Sequence, residues 1–433
     1  MAQHELLTHL FETAVAAVRG DATVSRAIAD IDMTPPDQII AVGKAASAMA
    51  AAAHAVYPHA PLLIVTKYGH AEDAPPAAQV IEAAHPVLDS NSLLAGSRLL
   101  ETVAGMHAES HLLMLVSGGA SALAEAPIDG LDLEGLKKRT TEMLGSGADI
   151  HAMNKVRKTL SRIKGGKLLA TFGGAQVTTL AISDVEGDAL SVIGSGIADA
   201  PKDAAFGFAP YIVASNAIAR DAVERAAQSM DIPLQTNDET LYDDIEALGV
   251  RLAKALVAGP PGLHLWGGEP TVVLPENPGQ GGRNQALGLI IAREIAGQSG
   301  ISVLVAGTDG TDGPTDAAGA LVDTSTWQTS ANNALARADA GRWLERHSAL
   351  LKTGPTGTNV KDLVIAQDIR AKTRSNTFVA VGPVFSSALC HSSHRPPSAP
   401  ASAVFADVCP VGGSTQAPAA RVGPSVPTVA ATT

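Results

Sequence analysis

The chain has 433 residues, 46% hydrophobic and 17% charged, with a formal net charge of −12 and two cysteines, Cys390 and Cys409. That length supplies two domains whose cores need no disulfide or metal staple, and it leaves the first 389 residues without a thiol nucleophile or Cys zinc ligand. An acidic chain with 3% aromatic residues and no long basic run also lacks the phosphate-neutralising surface and the stacking platforms of a nucleic-acid protein.

Two amphipathic stretches, 4–19 and 23–31, open the chain and are expected to pack as structural helices on the flank of a domain. From residue 38 onward, short aliphatic runs alternate with Ala-rich helical ones. QIIAVG (38–43), PLLIVT (61–66), HLLMLVS (111–117), QVTTLAIS (176–183) and PYIVAS (210–215) read as buried parallel strands. Segments 44–57, 90–106, 132–145, 150–164 and 216–230 carry helical spacing, and several open on a Ser, Asp or Asn suited to capping. Strand and helix in alternation predict an α/β fold. A second series follows a helix at 240–257 and a Gly-Pro-Pro-Gly turn at 259–262: HLWGGEPTVVL (264–274), a glycine-rich loop, a helix at 283–297, and ISVLVAG (301–307). From Ile369 the composition changes, with eight Pro, five Lys or Arg and one acid, Asp407, and disorder is expected over 369–433. No run of about 18 apolar residues occurs, and the N-terminal Met-Ala-Gln-His-Glu lacks the layout of a signal peptide, so a cytoplasmic location is expected.

Candidate chemistry clusters at strand ends, where open α/β sheets bind ligands. AGTDGTDGPTDAAGA (306–320) follows an apolar strand and offers Asp309, Asp312 and Asp316 for a divalent cation or a substrate hydroxyl, with turn capping as the alternative. In PENPGQGGRNQALGL (275–289), Gly279, Gly281 and Gly282 lead through Arg283 and Asn284 into a helix, so free N–H groups and a guanidinium would meet at an anion site. VSGGASAL (116–123) presents Ser117, Gly118, Gly119 and Ser121 between strand and helix as a second cradle, which packing glycines alone would also explain. AVGKAASAM (41–49) puts Lys44 at a helix start, a place that suits a cation only when an anion joins it. MNKVRKTLSRIKGGKLL (153–169) is the one dense basic segment; Lys155, Lys158 and Arg162 would share a helical face, lining an anion cleft or standing solvated. SDVEGD (183–188) offers Asp184, Glu186 and Asp188 as further metal or ribose contacts, with turn capping as the equal alternative, and His85, before a proline, is a weak candidate for a substrate contact. Neither GxGxxG nor GxxxxGK[ST] is present, so hydride transfer lacks its fingerprint while phosphoryl transfer finds glycine loops, cations and acids.

Taken together, VGKAASAM, VTKYGH, AAHPVLDSNS, LVSGGASAL, MNKVRKTLSRIKGGKL, ISDVEGD, GGEPTV, GQGGRNQ, GTDGTDGPTDAAG and TGPTGTNVKDL resemble the glycerate 2-kinases that carry a C-terminal MOFRL domain. Bacterial members of that group are often labelled hydroxypyruvate reductase in tartrate-degradation contexts. The resemblance covers roughly residues 5–366 and implies two α/β domains with a cleft between them: a Rossmann-like doubly wound domain at 5–240, a smaller MOFRL domain at 241–368, and then the tail. It implies phosphorylation of D-glycerate at its 2-hydroxyl with ATP and Mg²⁺, with Lys44, Arg283 and Asp309 as catalytic residues. Ser117, Gly118, Gly119, Ser121 and Lys155 are assigned to the substrate, Gly281, Gly282, Asn284 and Asp184 to the nucleotide and its phosphates, and Asp309 and Asp312 to the metal. Expected partners are the small-molecule substrate without nucleic acid or membrane, with a homodimer left open. The alternatives are an NADH- or NADPH-dependent hydroxypyruvate reductase and a non-catalytic sensor of sugar acids or nucleotides.

Overall fold

The computed structural model describes residues 2–145 and 150–370, and their side chains except those of 140–154. The aliphatic runs of the first half form six strands: β1 Gln38–Val42, β2 Leu62–Lys67, β3 Gln79–Ala83, β4 His111–Val116, β5 Gln176–Ile182 and β6 Gly207–Ala214. All pair in parallel, in the order β3-β2-β1-β4-β5-β6. Every residue of β4 is buried, which is why that run is continuous rather than alternating. The order reverses between β1 and β4, so a crevice opens beyond their carboxyl ends. Side-chain caps start the intervening helices: Asp89 accepts from Ser92 N at 2.9 Å, and Ser215 from Ile218 N at 3.4 Å.

The second half forms β7 Leu234–Leu241, β8 Gly262–Gly268, β9 Ile301–Gly307, β10 Gly319–Asp323, β11 Leu350–Leu351 and β12 Asp362–Asp368. Their order is β11-β10-β9-β12-β8-β7. This sheet is mixed: β12 runs antiparallel between β8 and β9, while β7 and β8 are parallel. β7, which pairs in parallel with β8, begins at Leu234, ahead of residue 241. Its sequence, LQTNDETL, is that of an edge strand with little apolar surface, so periodicity does not announce it. The expected strand 264–274 ends at Gly268, and PTVVL continues as a loop.

The first helix, Gln3–Val18, is not on a flank. Leu7, Leu10, Phe11, Ala14 and Val18 are fully buried in a core that also takes Leu113 and Leu180 from the first sheet and Leu263, Leu304 and Leu363 from the second. Each such side chain contributes about 1.5–3 kcal/mol on leaving water, so this helix joins the two sheets into one body. Gly20 N donates to Gly357 O at 3.0 Å and Thr358 Oγ1 to Val18 O at 2.6 Å, which fixes the loop before β12 against the same helix.

The tail expected from residue 369 lies outside the described residues apart from Ile369 and Arg370. Arg370 clamps Asp368 and the carbonyls of Leu256 and Val257, at 2.7–3.1 Å. A chain ending after Arg370 is therefore expected to keep its melting temperature and activity, whereas one ending at Gln367 loses a buried carboxylate and its clamp and melts several degrees lower. Loss of activity in the longer of the two truncations would make the tail part of the working protein.

Candidate active site

The carboxyl ends of the first sheet and one edge of the second face a common cleft of about 970 Å³. Lys44 follows β1, Lys67 ends β2, His85 follows β3, Gly119 follows β4 and Asp184 follows β5. From the other side, Glu269 follows β8, Asp309 follows β9, and Asn359, Lys361 and Asp362 come from the start of β12. Because β12 is antiparallel, its first residue pairs with the last residues of both neighbours, Gly268 and Gly307. A strand start thus joins two strand ends at the cleft.

Lys44 is held by its backbone. Gly43 adopts φ +135°, and a Cβ there would lie 2.1 Å from Ser117 Oγ, so only glycine lets the β1 and β4 loops meet. Ser117 Oγ accepts from Ala45 N at 3.1 Å, and Lys44 N donates to Gly118 O at 2.9 Å. The ammonium then reaches Asp309 Oδ2 across the cleft at 2.9 Å, with both side chains largely buried. Burial would raise the Asp309 carboxyl; the charge and hydrogen bond of Lys44, with bonds from Thr311 N and Oγ1, outweigh it and hold the group below the ordinary aspartate range.

Arg283 opens the helix Arg283–Ile295 and is shared between two carboxylates, donating from Nε to Asp362 at 2.7 Å and from Nη1 to Glu269 at 2.9 Å. Burial works against its charge, yet Asp362 and Glu269 carry the guanidinium above its usual range. The anion site expected at this helix start is already filled from within. Asp312 accepts from Asn284 N at 3.1 Å and Gln285 N at 2.8 Å, and Gln285 Oε1 accepts from Gly282 N at 3.2 Å. Burial pushes Asp312 up to about 7 against those two bonds, with Asp362 adding to the rise. Asp312 therefore caps this helix from a distant loop and takes up its dipole, while the Asx turn expected of the Asp-Gly loop is made by Asp309, which accepts from Thr311 N. Asn284 keeps a buried Oδ1 without a partner.

Lys44, Gly119, Asp184, Gly281, Gly282, Arg283, Asn284, Asp309 and Asp312 all line the cleft. Ser121 does not: its hydroxyl pairs with Ser195 Oγ at 2.8 Å. Ser117 is fully buried beneath the lysine loop, and Gly118 lies over Asp184, where a Cβ would come within 2.2 Å of Oδ2. The helix Ile150–Leu160 ends before the rest of the basic segment; Lys155 is exposed and outside the cleft, and Lys158 Nζ donates to Ser191 O. Lys164 is buried and paired with Glu125. Asp316 and Glu186 are also away from the cleft, the former paired with Lys352 at the surface. Lys67, Glu269, Asn359, Lys361 and Asp362 carry no role in the sequence reading, although each stands within or beside a motif at a strand terminus.

Two family models cover most of the described chain: a domain of unknown function, DUF4147, over residues 6–229, and the MOFRL family over 262–362. A D-glycerate 2-kinase of Thermotoga maritima is 36% identical over 409 residues, spanning 83% of this chain and 97% of that protein. The chain belongs to the glycerate 2-kinase family. A crystal structure of a glycerate kinase from Thermotoga maritima matches with a TM-score of 0.76 and 33% identity, covering 84% of this chain and 99% of that one. An Agrobacterium vitis protein that carries a provisional hydroxypyruvate reductase name is 34% identical over 419 residues, covering 83% of this chain and 93% of that protein. Among the described residues of this family member, no helix is long and apolar enough to cross a membrane.

Proposed function

We propose that the protein transfers the γ-phosphoryl group of ATP to the 2-hydroxyl of D-glycerate. The observation that carries this reading is the Lys44–Asp309 pair, which joins the two halves at the cleft in a relative of a D-glycerate 2-kinase. In that role Lys44 and Arg283 stabilise the charge that spreads over the phosphoryl oxygens, and Asp309, kept ionised, accepts the hydrogen bond of the attacking hydroxyl. The glycine run at Gly281 and Gly282 leads to an apolar wall formed by Ile245, Val272, Leu274, Ile290 and Leu335. That wall suits the flat base of the nucleotide. We place the division of the halves between β6 and β7, and the enzyme in the cytoplasm, where ATP is supplied.

A phosphoryl transfer implies Mg²⁺, which takes one or two carboxylates together with phosphate oxygens. Among the described residues no group of three or more His, Cys, Asp or Glu is arranged to hold a metal ion unaided. Asp309 and Asp312 are committed to Lys44 and to the helix start. Asp184 fits better: it lines the cleft without an ion-pair partner among the described residues, and burial, then the neighbouring Glu269, push its carboxyl up to about 6. A divalent cation relieves that cost, and when bound with the nucleotide it would neutralise phosphate charge.

The reductase reading rests on a relative's name and lacks the glycine fingerprint of a dinucleotide site. Purified protein with ATP, Mg²⁺ and D-glycerate, followed by ³¹P spectroscopy, is expected to give 2-phosphoglycerate. The same protein with hydroxypyruvate and NADH or NADPH is expected to leave the nicotinamide absorbance unchanged. Coenzyme oxidation without phosphoryl transfer would reverse the assignment.

A further inference from the structure

We infer that Lys67 and His85 form the subsite for the acceptor's carboxylate, an inference that rests on the kinase reading above. Four cations line the cleft: Lys44, Lys67, Arg283 and Lys361. Three of them are matched within the protein, Lys44 by Asp309, Arg283 by Asp362 and Glu269, and Lys361 by Glu239. Among the described residues Lys67 has no carboxylate within ion-pair distance. A half-buried ammonium left in a cleft without a counter-ion is the group to which an incoming anion adds most.

The strand order supplies the position. Lys44, Lys67 and His85 come from the ends of β1, β2 and β3, three adjacent strands, and so form a row running outward from the switch point. The donor's phosphates are served at the inner end of that row, where Lys44 meets the second sheet. What lies further out is room for a small acid. Gly119, at φ +85°, lets the loop after β4 pack directly against both side chains: a Cβ there would come 3.1 Å from Lys44 Cγ and 3.2 Å from His85 Cδ2. The imidazole stays neutral, because burial, Lys44 and Lys67 together push it down to about 4. A neutral ring offers one N–H donor and one acceptor, a pairing for a carboxylate beside a hydroxyl, while Lys67 supplies the charge.

The anion recognised here is oxygen-rich and singly or doubly charged, so a phosphate of the donor is the competing source. Lys67→Met, with Lys67→Arg and His85→Gln beside it in the full chain, separates the two. KM for D-glycerate, and its calorimetric Kd in the absence of nucleotide, are expected to rise by about tenfold or more in Lys67→Met, with KM for ATP changed by less than about twofold. Lys67→Arg should recover most of the loss, and His85→Gln should raise KM for D-glycerate less steeply. Glycerol, which lacks the carboxylate, should be turned over equally by the parent and Lys67→Met, so the preference for D-glycerate narrows. An unchanged KM and Kd for D-glycerate, or a rise confined to ATP, would overturn the assignment. A parent protein that forms no phosphoglycerate overturns the kinase reading instead, and D-glycerate binding then decides the subsite by itself.

Discussion

Lys44→Met is expected to lower kcat/KM by about a thousandfold, and Asp309→Asn by about a hundredfold, with D-glycerate and ATP as substrates. The lysine is the larger loss because it supplies charge where the transferring group becomes more negative, whereas the aspartate orients a neutral hydroxyl. The double variant should be little worse than Lys44→Met alone, since the two side chains act as one bonded unit at 2.9 Å. Removing the ammonium also removes what holds Asp309 ionised. The carboxyl is then expected to rise, with the bonds from Thr311 left to oppose burial. Steady-state rates with a melting curve for each variant check the result; a Lys44→Met protein within about tenfold of the parent would remove the pair from the mechanism.

Glu125→Ala is expected to cost about 3–5 kcal/mol of stability, the largest loss from any single charge outside the cleft, because it leaves the Lys164 ammonium buried and alone. Both side chains are almost wholly inaccessible, and Glu125 also accepts from Ala126 N at 3.0 Å. Burial already pushes Lys164 down from its usual range even with its partner present. Replacing both, Glu125→Leu with Lys164→Met, should restore most of the loss, and urea unfolding of the three proteins measures it. The pair joins the segment after the Gly118-Gly119 loop to the Gly165-Gly166 turn, where Gly165 N and Gly166 N bond Ser195 O and Gly196 O. The Gly118-Gly119 loop is thus tied to that turn by a pair that lies outside the cleft.

This pair shows where sequence reading stops. Lys164 looks like one more cation on a basic face, since spacing along the chain does not reveal Glu125 thirty-nine positions earlier. Periodicity found β1, β2, β4, β5, β6, β8 and β9 because each carries an aliphatic run, and it passed over β3, β7, β10 and β11, which sit at or near a sheet edge. For the site, strand-end logic brought Lys44, Asp184 and Asp309 to one cleft. It misses Lys361 and Asp362, which stand at the start of a strand, and only the antiparallel direction of β12 brings a strand start to that edge. The helix start at Arg283 was legible as a polar site, yet its occupant, Asp312, was not, because the return of the chain after β9 is a tertiary fact.

The central place of β12 also orders the birth of the molecule. β8 and β9 have no direct pairing, and the strand that connects them is the last of the described strands to be made. A nascent chain that has passed residue 307 but not residue 362 therefore carries two open inner edges, each a template for mispairing with another copy. The first sheet is complete by residue 214 and has no such wait. Synthesis thus leaves the second half exposed for most of its length, and holdases or slow translation would act on that half rather than on the first.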